Sequence, residues 1–479
     1  MIKKIFLIVL SIVTVKAQVT SLSDAIDLAL SNNLEIKKYE EKLVQREFEN
    51  QKALGNFLPS IDFDYSYNRL NDDLTIDLAP IRDGIISLQA NTQTEIANIY
   101  NILQTGQALQ DAQKLAFLNQ AISQLDGIIP AFASILKQKE YQKAGFTGIQ
   151  PLFTGGKLLA AKKNAAAELK ASEQELVQAK NRIINETVDS YLKVVLMNNL
   201  IRTREDVVNG INKHFQRAEK LYNEGFISNH NVLRAKVALA EAQRNLENDK
   251  DNLSLVVLSL KEKIGISDST FIQINATLKF TDIEFSVESL RSIMRDHQPI
   301  LKILEQKIIS AEQKLKVERA DFLPQVAAFG RYEVYPQYLS ALEPRWAVGI
   351  QLKMNLFNGF RDYAELQSAS HLENEVKLIK QDVEHKIDLL LNSKIMEFSR
   401  SKRNFIKLET DLELAKENLR VNEKRFESGL GISLEVIDAQ LSLEKSELDR
   451  VLSLYQYYQT ISKIYETIGT PTKILDLYN

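Results

Sequence analysis

Residues 61–68 read Ile61-Asp62-Phe63-Asp64-Tyr65-Ser66-Tyr67-Asn68, an unbroken alternation of apolar and polar side chains. A period of two belongs to an extended strand, so the aromatics share one face and the aspartates the other. Trp346, Val348, Ile350, Leu352, Met354 and Leu356 alternate in the same way with Ala347, Gly349, Gln351, Lys353 and Asn355. Both runs are about ten residues long, the length of a tilted strand that crosses a bilayer. Weaker strands are expected from Val326 to Tyr335, after Pro324, and from Ala144 to Phe153. The strand limits are thus about 61–69, 144–154, 325–335 and 345–357.

Four strands cannot close a barrel, and an open sheet edge in lipid leaves backbone groups unpaired at a cost of several kcal/mol each. Several copies of the chain must then share one barrel. The Tyr and Trp side chains resemble the aromatic girdle of such a barrel, with Phe63, Tyr65, Tyr67, Trp346, Val348 and Ile350 toward lipid. Asp62, Asp64, Lys353 and Asn355 would face water.

Outward from the strands lie long stretches without a helix breaker. Residues 157–209 and 360–428 contain neither Gly nor Pro and are rich in Lys, Glu, Gln and Ala. As continuous helices they run about 80 Å and about 100 Å. Helices of that length pack side by side along narrow apolar seams, and Leu169, Leu176 and Ile183, or Leu412, Ala415 and Leu419, carry coiled-coil spacing.

The chain also repeats itself. Residues 33–60 resemble residues 298–325 at an offset of 265, from Asn33-Leu34-Glu35-Ile36 and Gln298-Pro299-Ile300-Leu301 to Phe57-Leu58-Pro59 and Phe322-Leu323-Pro324. Glu224-Gly225 to Ile264-Gly265 resembles Ser428-Gly429 to Ile468-Gly469 at an offset of 204, so that Val232 matches Val436, Ala235 Ala439 and Leu239 Leu443. Two halves of one architecture follow, each ordered helix, strand, strand, long helix, helix. The first repeat covers 18–265, a linker 266–286, the second repeat 287–469 and a C-terminal tail 470–479. The fall in offset leaves about 61 extra residues inside the first hairpin, within a long loop 70–143 that has a helix-like segment at 95–125 and breakers at Pro80, Gly84, Gly106, Gly127 and Pro130.

At the N-terminus, Lys3 and Lys4 precede the apolar run Ile5 to Val13 and the small-residue end Val15-Lys16-Ala17, which reads as a signal peptide over 1–17. The absence of cysteine excludes disulfides, thiolate metal sites and cysteine catalysis. A net charge of −3 gives no reason to expect nucleic acid. The five histidines, His214, His230, His297, His371 and His385, have no metal-ligand spacing. Gly155-Gly156-Lys157 is not a phosphate loop, since Pro151 and Leu158 stand where Gly and Ser or Thr are required. No enzyme activity, catalytic site, metal or cofactor is expected.

The ordered set of these segments resembles the TolC family of outer-membrane efflux proteins over essentially all of the mature chain. The resemblance is carried by Ser23-Asp24-Ala25-Ile26, the two Phe-Leu-Pro junctions at Pro59 and Pro324, and Leu152-Phe153-Thr154-Gly155 with Leu356-Phe357-Asn358-Gly359. Leu221-Tyr222-Asn223-Glu224-Gly225 and Arg425-Phe426-Glu427-Ser428-Gly429 complete it. It implies a homotrimer with a twelve-stranded outer-membrane β-barrel continued by a periplasmic α-helical barrel. It also implies docking to a periplasmic adaptor and an inner-membrane pump of RND or ABC type, as an exit duct for efflux or type I secretion. Gly225, Phe226, Gly429 and Leu430 fall at the helix tips where adaptors dock. Glu435 and Asp438 fall at the periplasmic gate, while Asn231 and Gly431 replace the family's acidic and basic gate partners. Ser228 or Asn229, and Ser433, are expected N-caps at these tips. The family's topology makes the loop 70–143 extracellular.

The competing reading is a soluble periplasmic coiled-coil structural protein. The helices alone suit it, and the alternating strands do not.

Overall fold

The computed structural model describes residues 21–130, 133–270, 272, 274, 276–339 and 343–477. The signal-peptide segment 1–17 lies outside them. Helices α1 (Leu22–Asn32) and α2 (Leu34–Gly55) lead into strand β1 (Ser60–Arg69), followed by β2 (Leu74–Asp77), α3 (Ala79–Thr105), α4 (Asp111–Ile128) and β3 (Ala133–Lys137). Strand β4 (Glu140–Phe153) enters the long α5 (Lys157–Asn223), which turns into α6 (Asn229–Ile264). The pattern returns as α7 (Val287–His297), α8 (Pro299–Ala320), β5 (Gln325–Glu333), β6 (Trp346–Lys353), α9 (Arg361–Glu427) and α10 (Ser433–Thr467).

The repeat is geometric as well as sequential. Both ends of α1 and α2 recur 265 residues later in α7 and α8, and both ends of α5 recur 204 residues later in α9. Local chemistry repeats with them. The Ser21 hydroxyl accepts the Asp24 amide at 3.1 Å, and Ser286 accepts the Ser289 amide at 3.5 Å, so each half opens on a serine cap. Phe57 and Leu58 donate to Leu54 and Gly55 carbonyls as Phe322 and Leu323 donate to Arg319 and Ala320, ending α2 and α8 alike before Pro59 and Pro324.

The described residues form two compact units. The helical unit takes the chain up to Ala53, Leu159–Glu318 and the chain from Tyr363 onward. Helices α5 and α9 are 67 residues each, about 100 Å at 1.5 Å per residue. Helix α5 therefore runs past Gly210, which ends the breaker-free stretch; a Cβ there would lie 2.9 Å from Gln440 Oε1, so α10 packs on the bare backbone. On α5 the fully buried seam before Ile183 is made of small residues, among them Ala160, Ala167, Ala171 and Ala179, with Leu176 half-buried against the core.

A single large core gathers residues of both halves, with Leu192, Leu260, Ile264, Ile461, Ile464 and Ile468 fully buried. Of the linker, Ile274 is buried in this core, and Ile266, Ile272, Leu278, Phe280, Ile283 and Phe285 pack against it. Tyr457 and Tyr458 hydroxyls donate to the carbonyls of Thr281 (2.8 Å) and Lys279 (2.6 Å), and Phe280 stacks on Phe405 at 4.7 Å. In the tail, residues 471–477 form 3-10 turns with Ile474 buried.

The second unit, Leu54–Leu158 with Arg319–Asp362, holds a four-stranded antiparallel sheet in the order β1-β4-β5-β6. Strands β2 and β3 form a separate two-stranded ribbon that flanks the α3–α4 hairpin in the chain. The segment 95–125 is thus two helices broken at Gly106, whose φ of 73° ends α3. Pro80 lies in the first turn of α3, where its missing N–H costs nothing, and Gly84 and Gly127 stay within helices.

Candidate functional site

The sheet has two chemically opposite faces, because cross-strand partners point the same way. Phe63 pairs with Phe146, Phe146 with Tyr332, and Tyr332 with Trp346, so one aromatic row crosses all four strands. The Phe63 and Phe146 rings lie 5.1 Å apart. Beside that row, Ile61, Gly148, Gly330 and Val348 form the next, and Ala328, Ile350, Val326 and Leu352 continue the same face. Trp346, Val348 and Ile350 are 62%, 73% and 71% exposed, so nothing among the described residues covers this apolar face.

The opposite face carries Asp62, Thr147 and Arg331 in one row and Asp64, Gly145 and Glu333 in another, with Gln351 and Lys353 farther along. Glu333 is buried at 1% exposure over Gly145, where a Cβ would meet its Oε2 at 2.8 Å. Asn355, read from the sequence as a water-facing strand residue, lies beyond the end of β6 and donates to Asp362 Oδ2 at 2.9 Å. The apolar alternation runs on past the end of β6 to Leu356, and Asn358 and Asp362 bond to each other at the entry to α9.

The helix tips are a matched pair. Gly225 at φ 81° and Gly429 at φ 75° are the left-handed residues of two Schellman ends. Phe226 N–H reaches Leu221 O and Leu430 N–H reaches Arg425 O, both at 2.9 Å. Each glycine is followed by a bare apolar side chain, Phe226 at 74% and Leu430 at 77% exposure. Glu435 Oε2 accepts the Ile432 amide at 3.2 Å at the start of α10, and Arg425 Nη1 stands 3.9 Å from it. Asp438, one turn on, is exposed. Gly431 is tightly seated, since a Cβ would come within 3.0 Å of the Phe426 nitrogen.

Ser433 is the first residue of α10, not its cap. It is fully buried, and its hydroxyl lies 2.7 Å from Nε2 of His214 on α5. Burial lowers the His214 pKa from 6.5 to about 4, so the ring is neutral, and it also packs against Phe426 at 4.9 Å. Further along, Arg204 of α5 bridges Asp249 of α6 at 3.0 Å and Glu444 of α10. Neither contact is visible in sequence: a lone His and a lone Arg on a polar helix carry no signal until the partner helix is known. The spacing Ile211, His214, Ala218 places His214 near the seam, which is the one available hint.

Among the described residues no group of His, Cys, Asp and Glu is gathered to hold a metal ion, and no helix is long and apolar enough to cross a membrane.

A sheet that is apolar on one face and charged on the other, joined to duplicated long helices with matched tips, is the build of an outer-membrane channel protein. The chain belongs to the outer membrane efflux protein family, whose sequence model matches residues 136–265 and 290–470. The family is one of channels rather than enzymes. The alkaline protease secretion protein AprF of Pseudomonas aeruginosa is 21% identical over 331 residues, 64% of this chain; the match spans 65% of AprF's own length. The fold is that of the outer membrane protein VceC from Vibrio cholerae (TM-score 0.71, 16% identity, 94% of this chain and 96% of that one). The CmeC outer membrane channel of Campylobacter jejuni (0.69, 15%, 94% and 86%) and the MtrE channel of Neisseria gonorrhoeae in its open state (0.65, 13%, 94% and 89%) share it.

Proposed function

We propose that three copies of the chain form an exit duct of the outer membrane, with the helical unit in the periplasm. The duct serves as a passive conduit for an inner-membrane pump, of RND or ABC type, reached through a periplasmic adaptor. The observation that carries this reading is the sheet: its apolar face is exposed, and its edges β1 and β6 have no partner strand among the described residues. Lipid accounts for the face, and neighbouring copies account for the edges. A soluble coiled-coil protein would leave both exposed to water.

Glu435 and Asp438 then ring the periplasmic constriction, and the glycine turns with Phe226 and Leu430 offer apolar knobs to adaptor hairpins. Pro59 and Pro324 mark the passage from helix to barrel. AprF's name adds a secreted polypeptide to the cargoes that the family's name covers. The test is the mass of the detergent-extracted protein together with its fractionation: a trimer recovered with outer membranes is expected, and a monomer that still inserts would overturn it.

A further inference from the structure

The α3–α4 hairpin is the part of the chain with no counterpart in the second half. It is a built element and not a slack loop. Ile86 and Ala90 of α3 pack on Ala121 and Leu125 of α4. Its base is clasped by the Arg82 guanidinium, which donates to the carbonyls of Asp126 (2.9 Å) and Ile129 (2.8 Å) and pairs with the Asp126 carboxylate at 2.7 Å. Its turn is closed by Asn98 Oδ1, which accepts the Leu109 amide at 2.9 Å.

The outer face of α3 is apolar as well. Ile81, Ile85, Leu88, Thr92, Ile96, Ile99 and Leu103 follow one another by steps of four and three, on the side opposite Ile86 and Ala90. Leu88 and Leu103 are 71% and 77% exposed. The 27 residues of α3 include three charged ones, Arg82, Asp83 and Glu95. None of them breaks the stripe: Arg82 is clasped at the base, and Glu95 turns to Lys114 of α4 at 3.8 Å. Thr92 is internally satisfied by the Leu88 carbonyl at 2.9 Å.

We propose that the α3 stripes of neighbouring copies pack against one another, so that the inserted hairpins of the assembly join in a helical bundle at the end of the barrel. The occupant of the stripe is a second copy of the same stripe. Two observations select it over other partners. The stripe has coiled-coil spacing and no charge, so like faces meet without repulsion. The hairpin is also joined to β1, an edge strand that needs a neighbouring copy, through residues 70–78 alone, so any copy that closes the sheet brings its own stripe to the same end of the barrel. This rests on the trimer reading above.

The chain has no cysteine, so single replacements report cleanly. In the full-length protein in outer membranes, Leu88→Cys and Ile99→Cys are expected to form disulfide-linked pairs of chains under mild oxidation. Gln93→Cys, exposed on the flank of α3, should stay as single chains. Adding Ile99→Glu to the Leu88→Cys variant should abolish the linkage without dissociating the trimer. If the protein is trimeric by mass but the stripe variants stay single and react with a water-soluble maleimide as fast as Gln93→Cys, the stripe is open or serves another partner. The inference then fails while the trimer stands. A monomeric mass overturns both.

Discussion

Phe360 holds at φ 63° the left-handed backbone position that Gly156 holds at φ 86° in the first half, 204 residues earlier. The turn from strand into long helix is therefore set by the repeat, since an L side chain disfavours that region by about 1–2 kcal/mol. The residues just before them are equivalent in conformation, Gly155 at φ 62° and Gly359 at φ 71°, but not in surroundings. A Cβ at Gly155 would lie 2.8 Å from the Leu323 Cβ and 3.0 Å from the Ala320 carbonyl, whereas nothing lies within 4 Å at Gly359.

Gly155→Ala is accordingly expected to cost both the conformational term and about 1–3 kcal/mol of crowding, while Gly359→Ala costs the conformational term alone. Thermal unfolding of the two variants should rank them in that order. Equal losses would mean that the Leu323 side of the first turn yields freely.

The fold was legible where chemistry alternates strongly and obscure where it does not. Phe63 between Asp62 and Asp64 announces a strand, but Glu140 to Lys143, the start of β4, is polar at three of four positions and carries no period to read. Strand β5 has Ala327 and Ala328 side by side, which blurs its faces. The helix tips were legible because glycine is the residue a Schellman end asks for. The Arg425 side chain near Glu435 was not, because the ionic partner sits on the preceding helix, and the sequence comparison pointed only to Gly431.

A second prediction concerns pH at the tips. His214 is neutral in the fold, and its pKa is held at about 4 against 6.5 in the unfolded chain. The unfolded state thus binds the proton first. The stability tied to the neutral ring is full above about pH 6.5 and is lost as pH falls toward about 4. Amide exchange near Ser433 should quicken over that window, and His214→Gln, which still hydrogen-bonds but does not titrate, should flatten the response. An unchanged pH profile in the variant would place the sensitivity in other groups.

The two sheet faces give a third. Single cysteines at Asp62, Asp64 and Lys353 should react with a water-soluble maleimide in intact membranes, and those at Phe63, Tyr65, Val348 and Ile350 should be protected. Register leaves no intermediate assignment along the middle of the sheet, because a shift by one residue would turn Asp62, Asp64, Arg331 and Lys353 into lipid, at about 2–4 kcal/mol for each basic group. Equal labelling of both sets would remove the sheet from the membrane.

The last prediction concerns the proposed gate. Glu435 is partly engaged, by the Ile432 amide at 3.2 Å and by Arg425 at 3.9 Å, while Asp438 is exposed with no partner among the described residues. If three copies gather these carboxylates about an axis, the ring concentrates multivalent cations and impedes flow. The free carboxylate binds such cations better than one already facing a guanidinium, so Asp438→Asn should relieve block by divalent cations more than Glu435→Gln does. The double variant should relieve it most, without dissociating the proposed trimer. Arg425→Gln should act in the opposite sense and deepen the block, since it releases Glu435 to the ring. Single-channel recordings with divalent cations measure all four. Block that is indifferent to both carboxylates would show that they are solvated surface, and that the constriction lies elsewhere along the helices that follow Gly225 and Gly429.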